Sequence, residues 1–182
     1  ANTEKNIANA KELFDAFLVE RFTSNAHKWP RQTLAELVAK GWIVHHMDGN
    51  HGGDYPRKHE FIDKGIPYIT ASCIANDEID MNKAKYLSPE RAARLRKGFA
   101  KENDVLFAHN ATVGPVAILN MSYQTIILGT SLTYYRCNPK YVYPQYLAHY
   151  MRSSKFIRQY KLVMRQSTRN QVPITKQKEF TH

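Results

Sequence analysis

Apolar residues recur every three or four positions near the start of the chain. Ile7, Ala10, Phe14, Phe17 and Leu18 fall on one side of residues 4–22, while Glu12, Asp15, Glu20 and Arg21 fall elsewhere. That period predicts an amphipathic helix whose stripe must be buried by the domain body or by another chain. After Thr23-Ser24-Asn25 the pattern changes, and from Trp29-Pro30 onward short apolar runs alternate with turn residues. Thr33 and Glu36 form a capping box for a short helix over residues 34–39, stopped by Gly41. Residues 42–44 and 67–74 read as strands. Ser88-Pro89-Glu90 caps a helix over residues 89–97 that ends at Gly98. Residues 104–108 and 116–119 are strands bridged by residues 109–115, and residues 125–128 and 132–135 are two more around Gly129. Helices follow at residues 143–151 and 154–163, and an extended piece restarts at Val172-Pro173-Ile174. Five or six short strands with few helices between them predict an α+β fold. Its sheet is mixed and twisted, its helices are short, and the amphipathic helix precedes it.

After the first strand comes the stretch from Asp48 to Ile74, DGNHGGDYPRKHEFIDKGIPYITASCI, which ends with the second. Its glycines, the basic knot Arg57-Lys58-His59 and Tyr55 sit beside an apolar strand, the setting in which loops carry recognition.

Charge sharpens this reading. The chain of 182 residues has a formal net charge of +10. From Val105 to Lys178 it holds no Asp or Glu but ten cations, from Arg136 to Lys178. A long segment of one sign makes an extended positive potential, and the commonest polyanionic partner is nucleic acid. No apolar run approaches the roughly 20 residues of a membrane helix, and no signal-peptide core is present, so no membrane partner is expected and the protein is read as cytoplasmic. Cys73 and Cys137 have no CxxC spacing, which argues against a disulfide framework or a thiolate zinc site.

Catalytic candidates are weak. His45, His46 and Asp48 could hold a divalent metal, as in nucleases of the His-Asn-His type, but no helix with a well-placed histidine follows. Asn138-Pro139-Lys140-Tyr141 differs at one position from the Asn-Pro-Pro-Tyr motif of adenine methyltransferases, and no glycine-rich cofactor loop accompanies it; a turn before the next helix is the simpler reading. Binding candidates are stronger. Arg165, Gln166, Thr168, Arg169 and Asn170 combine side chains that read base edges. A second set is Asn50, His51, Tyr55, Arg57, Lys58 and His59, with Ser72 beyond it, and a third is Asn110 with Thr112. Lys155, Arg158 and Lys161, three apart, suit phosphates rather than bases. The many tyrosines leave a general RNA or single-strand binder as a further reading.

Several of these stretches together resemble the target-recognition domain of type I restriction–modification specificity subunits. They are Asp48-Gly49-Asn50-His51-Gly52, Tyr55-Pro56, Gly65-Ile66-Pro67-Tyr68-Ile69, Tyr86-Leu87-Ser88, Asn103-Asp104-Val105-Leu106, Thr112-Val113-Gly114 and residues 167–174. Lys11-Glu12-Leu13-Phe14-Asp15 is similar to the end of the spacer helix that precedes such a domain. The resemblance divides the chain into a spacer-type helix, residues 1–24, and a recognition domain, residues 25–182. It implies a non-catalytic subunit that reads one half of a split site in double-stranded DNA. It also implies modification subunits that bring S-adenosylmethionine and a restriction subunit that uses ATP, with no cofactor on this chain. One recognition domain with a single helix is expected to be a fragment, or a half-sized subunit that self-associates through that helix.

Overall fold

The computed structural model describes residues 2–24, 31–120 and 125–181. Helix α1 spans Asn2–Ser24 and α2 Leu34–Ala39. The strands and helices that follow are β1 (Ile43–Asp48), β2 (Phe61–Ile62), β3 (Ile66–Ile69), β4 (Ile74–Ala75), β5 (Glu78–Ile79), β6 (Lys85–Leu87), α3 (Pro89–Ala93), β7 (Phe99–Ala100), β8 (Val105–Asn110), β9 (Thr112–Ile118), β10 (Ile126–Leu128) and β11 (Leu132–Cys137). Helices α4 (Pro144–Arg152), α5 (Ser154–Arg165) and α6 (Ile174–Gln177) complete the order. Trp29-Pro30, expected to open the globular part, lies outside the described residues.

Two sheets stack between helical layers. The first is antiparallel in the order β1-β11-β8-β9, and the second has the order β2-β6-β3-β10-β7 with β3 and β10 parallel. Strand alternation sets the layers. On β8, Val105 and Phe107 face a cluster with Leu147, Phe156 and Tyr160 from α4 and α5, while Leu106 and Ala108 face Ile69, Ile126 and Leu128 of the second sheet. On β10, Ile127 turns the other way, toward Tyr68, Leu87, Ala92 and Leu95 around α3. A strand buried on both faces reads as a continuous apolar run, which is why residues 104–108 lack clean alternation. Each large side chain removed from water in these layers contributes about 1.5–3 kcal/mol.

The α+β architecture agrees with the sequence, but several boundaries do not. The Thr33 cap and its capping box with Glu36 are present. Among the described residues eleven strands replace the five or six expected, because several are two-residue pairings too short to leave a pattern. The bridge expected over residues 109–115 is strand: β8 and β9 run on to a tight turn at Ala111, which sits at φ +63°. Pro115 is tolerated there because β9 is an edge strand. Helix α3 ends at Ala93 rather than residue 97. Leu95 turns into the core, and the carbonyls of Lys97 and Gly98 accept from Asn50 Nδ2 and the Leu128 amide instead of closing another turn. Strand β3 stops at Ile69, five residues early, and Ile174 begins α6 rather than extending a strand.

Helix α1 forms as expected. Phe14 meets His149 of α4 edge to face at 5.1 Å between centroids, and Ile7, Leu13, Phe14 and Phe17 are all 45% exposed or more. The domain body therefore buries little of its stripe.

Candidate nucleic-acid interface

One end of the first sheet gathers most of the polar loops. Strand β1 enters this end at Asp48, β11 leaves it at Leu132, and β8 and β9 meet there at Ala111. The junctions are fixed by backbone bonds from Gly49 to Leu132 (2.9 Å), Asn50 to Leu128 (2.9 Å) and His109 to Ser131 (2.9 Å). Glycine makes the approach possible. A Cβ on Gly49 would lie 2.1 Å from the Gly129 carbonyl oxygen, and one on Gly129 would lie 2.7 Å from the Tyr68 hydroxyl. From the second sheet, the turn after β3 joins the same end through the Ala71 amide, which donates to Ser131 Oγ at 2.8 Å. Three inter-strand spacings make the sheet end roughly 14 Å wide, close to the width of about 12 Å of a DNA major groove.

The C-terminal segment is tied to this end as well. Ala111 N–H donates to the Asn170 carbonyl at 3.0 Å, the Asn170 amide donates to the Ala111 carbonyl, and Val172 N–H donates to the His109 carbonyl at 2.7 Å. Below them lies a buried polar network. Gln177, fully buried, donates through Nε2 to the Val172 carbonyl (3.1 Å) and Thr133 Oγ1 (3.2 Å). Its Oε1 accepts from the Tyr135 hydroxyl (2.7 Å) and from His46 Nε2 (3.0 Å). Burial lowers the His46 pKa to about 4, so its ring is neutral with the proton on Nε2. His109 Nδ1 donates to the same Val172 carbonyl at 3.1 Å, and burial lowers its pKa too.

Many of the expected reading residues are carried here, while Arg57, Lys58 and His59 lie farther along the second sheet, with Lys58 lining a cleft beside Phe61, Asp63 and Lys85. His51, Tyr55, Arg57, Lys58, His59, Ser72, Thr112, Arg165, Gln166, Thr168, Arg169 and Asn170 are all exposed, and Asn110 is partly so. Asn50 departs from the expectation. It is fully buried, and its amide donates to the carbonyls of Lys97 (2.9 Å) and Leu128 (3.2 Å), so it braces the loop instead of presenting its side chain. His45 and His46, adjacent on β1, point to opposite faces. His45 stacks on Tyr134, and His46 is bonded to Gln177. The two therefore do not converge on one metal ion, and among the described residues no group of three potential ligands occurs. Asn138 likewise makes a turn: its carbonyl accepts from Tyr141 and Val142 and its Oδ1 from Lys140 N–H.

The acids at this end are matched by cations. Lys97 donates to Asp48 at 2.7 Å, Arg96 pairs with Asp54 at 3.1 Å, and Arg91 pairs with Glu60. The Arg57 N–H and the Arg91 guanidinium hold the Glu60 carboxyl below its usual range. His51 Nε2 lies 2.7 Å from Lys97 Nζ and 3.2 Å from Asp48. Arg57, Lys58, Arg165 and Arg169 have no carboxylate partner among the described residues, and they leave a positive field over the loops.

No protein-family model matches the sequence, and no curated protein sequence does. Solved structures do match in shape. The HsdS subunit from Thermoanaerobacter tengcongensis superposes with a TM-score of 0.60 at 13% identity, over 99% of this chain and 40% of that one. A chain from a structure of the complex assembly and conformational transition of the type I R-M system also gives 0.60 at 13% identity, over 98% and 42%. The chain has the fold of an HsdS subunit. It spans about two fifths of the length of these neighbours.

Within the HsdS-like fold, residues that sequence reading did not single out complete the interface. Lys97 was hidden because the helix signal at Ser88-Pro89 ran on through it. Thr130 Oγ1, which donates to the Asn50 carbonyl at 2.8 Å, and Ser131 sit in a turn marked only by Gly129. His109 fell in a segment read as a loop.

Proposed function

We propose that the chain reads one half-site of double-stranded DNA as the recognition part of a type I restriction–modification specificity subunit, and that it has no catalytic role of its own. The observation that carries the proposal is the convergence of the loops at residues 51–55, 70–72, 110–112 and 165–170 on one end of a rigid sheet in an HsdS-like fold, with Arg57, Lys58 and His59 continuing the first loop along the second sheet. Cations there exceed acids, and the exposed side chains include Arg, Gln and Asn, which pair bidentately with guanine and adenine. Residues 1–24 serve as a spacer-type helix and residues 25–182 as the recognition domain. Modification subunits bring S-adenosylmethionine, a restriction subunit joins through them and uses ATP, and this chain holds no cofactor. α1, with its exposed apolar positions, packs on a partner helix or a second copy. None of the described helices is long and apolar enough to cross a membrane, and the assembly works in the cytoplasm beside its DNA.

The test is selection from random duplex DNA by this chain at two salt concentrations. Enrichment of a short asymmetric motif that survives the higher salt supports base readout. Binding without enrichment that collapses as salt rises leaves phosphate attraction alone, and refutes the reading for this chain.

A further inference from the structure

We infer that the outward face of α5 is a second DNA-contacting surface, a phosphate track that carries the duplex backbone beyond the loops at the sheet end. The inference rests on the proposed function and extends it to a surface outside the reading loops. At 100° per residue, Arg158, Lys161 and Arg165 fall within an arc of about 60°. All three are exposed, and none has a carboxylate partner among the described residues. The opposite face is locked in place. Phe156 and Tyr160 are buried against Phe107 with centroids at 5.5 and 5.7 Å, and Gln159 bonds the Thr181 backbone through Oε1 at 2.8 Å and Nε2 at 3.0 Å. Gly114 leaves room for this packing, since a Cβ there would come within 2.9 Å of the Tyr160 hydroxyl.

The cations are thus held on a rigid rod that runs without a break into the loop of residues 166–170, itself pinned to Ala111. From Arg158 to Arg165 the helix rises about 10 Å, a length over which duplex DNA presents about six phosphates. A surface kept soluble by charge would intersperse its signs. Here no acid occurs anywhere on α5 or in the flanking sequence from Val105 to Lys178.

The experiment measures duplex affinity against salt for the full chain, for R158Q/K161Q, and for K40Q/K140Q. Lys40 and Lys140 are exposed beside the Trp42–Tyr141 stack, where β1 begins at Ile43 and β11 ends at Cys137, so the second variant loses the same charge away from the loops. Each lost phosphate contact lowers the slope of log K against log salt by about 0.9. Between 50 and 200 mM salt, R158Q/K161Q should therefore lose about 12-fold less affinity than the unaltered chain. K40Q/K140Q should match the unaltered chain, and the sequence preference of both variants should not change. An unchanged slope for R158Q/K161Q, or equal changes for both variants, overturns the inference. The two readings fail separately: a motif retained with an unchanged slope refutes the track alone, whereas a lowered slope with no motif retains the track and refutes base readout.

Discussion

Replacing Gln177 by alanine tests whether the buried network holds the C-terminal segment against the sheet. The substitution removes the acceptor that two buried donors share, since the Tyr135 hydroxyl and His46 Nε2–H reach Gln177 Oε1 at 2.7 and 3.0 Å. The Val172 carbonyl loses one of two donors but keeps His109. Each of these lost hydrogen bonds costs about 1–3 kcal/mol. With an incompletely refilled void the total is on the order of 4 kcal/mol. At about 2–4 °C per kcal/mol for a chain of this size, the melting temperature should fall by about 8–16 °C. Urea unfolding followed by far-ultraviolet circular dichroism gives the free energy directly, with an unchanged m-value if the native fold persists. A second variant separates hydrogen bonding from lost volume. Adding Tyr135→Phe removes the other partner of one lost bond, so the double variant should be more stable than the two single losses summed, by about 1 kcal/mol or more. A loss below about 1 kcal/mol for Gln177→Ala, or strict additivity with Tyr135→Phe, refutes the assigned role.

Acid should weaken the same junction through His46. Its folded pKa, about 4, lies below its unfolded value of 6.5, so the unfolded chain binds the proton first as pH falls. The neutral ring's contribution is whole above pH 6.5, declines toward pH 4 and totals about 3 kcal/mol; denaturation midpoints at pH 7.5 and 4.5, compared with those of His46→Gln, measure it, and equal pH dependence in the two proteins refutes it. Gly49→Ala should distort the root of the first loop, because its Cβ would meet the Gly129 backbone oxygen at 2.1 Å and no side chain there can move aside. A loss on the order of 3 kcal/mol in urea is expected, and an unaltered midpoint would contradict the close approach. Arg57→Ala and Arg169→Ala should each weaken binding to a selected duplex by about 5- to 150-fold in anisotropy titrations at fixed salt. Unchanged affinity in both removes these loops from the interface. Chelation with EDTA should leave DNA binding unaltered, whereas a metal site at His45, His46 and Asp48 would require loss.

Local signals carried much of the fold. The capping box at Thr33 and Glu36, the Ser88-Pro89 start and the Ser153 break between α4 and α5 depend on neighbours in sequence, so they were readable. Residues 109–115 were misread because their pairing depends on β8 meeting β9 and on Ala111 adopting a left-handed turn. The end of α3 was misread because Asn50 and Leu128 compete for its carbonyls from 47 and 30 residues away. The same competition explains Asn50 itself. Its residue type suits base reading, but tertiary partners bury it, and a one-dimensional pattern holds no record of that. The charged loops were legible by composition, since cations without acids need no three-dimensional context to be seen. Their convergence on one sheet end was not, since it is set by strand order.

The network under this end also governs when the interface can exist during synthesis. His46 and Gln177 are 131 residues apart, and His109 and Val172 are 63 apart. Closing such long loops is entropically costly and precedes the contacts that offset it, so folds of this kind form slowly. A nascent chain that has emerged only as far as β11 has made both sheets and the first three loops, yet its fourth loop and the segment bracing it are still unmade. On the proposed function, DNA recognition then arrives late and all at once, when residues 171–181 dock. A ribosome-bound intermediate would not engage the chromosome before its fold is complete.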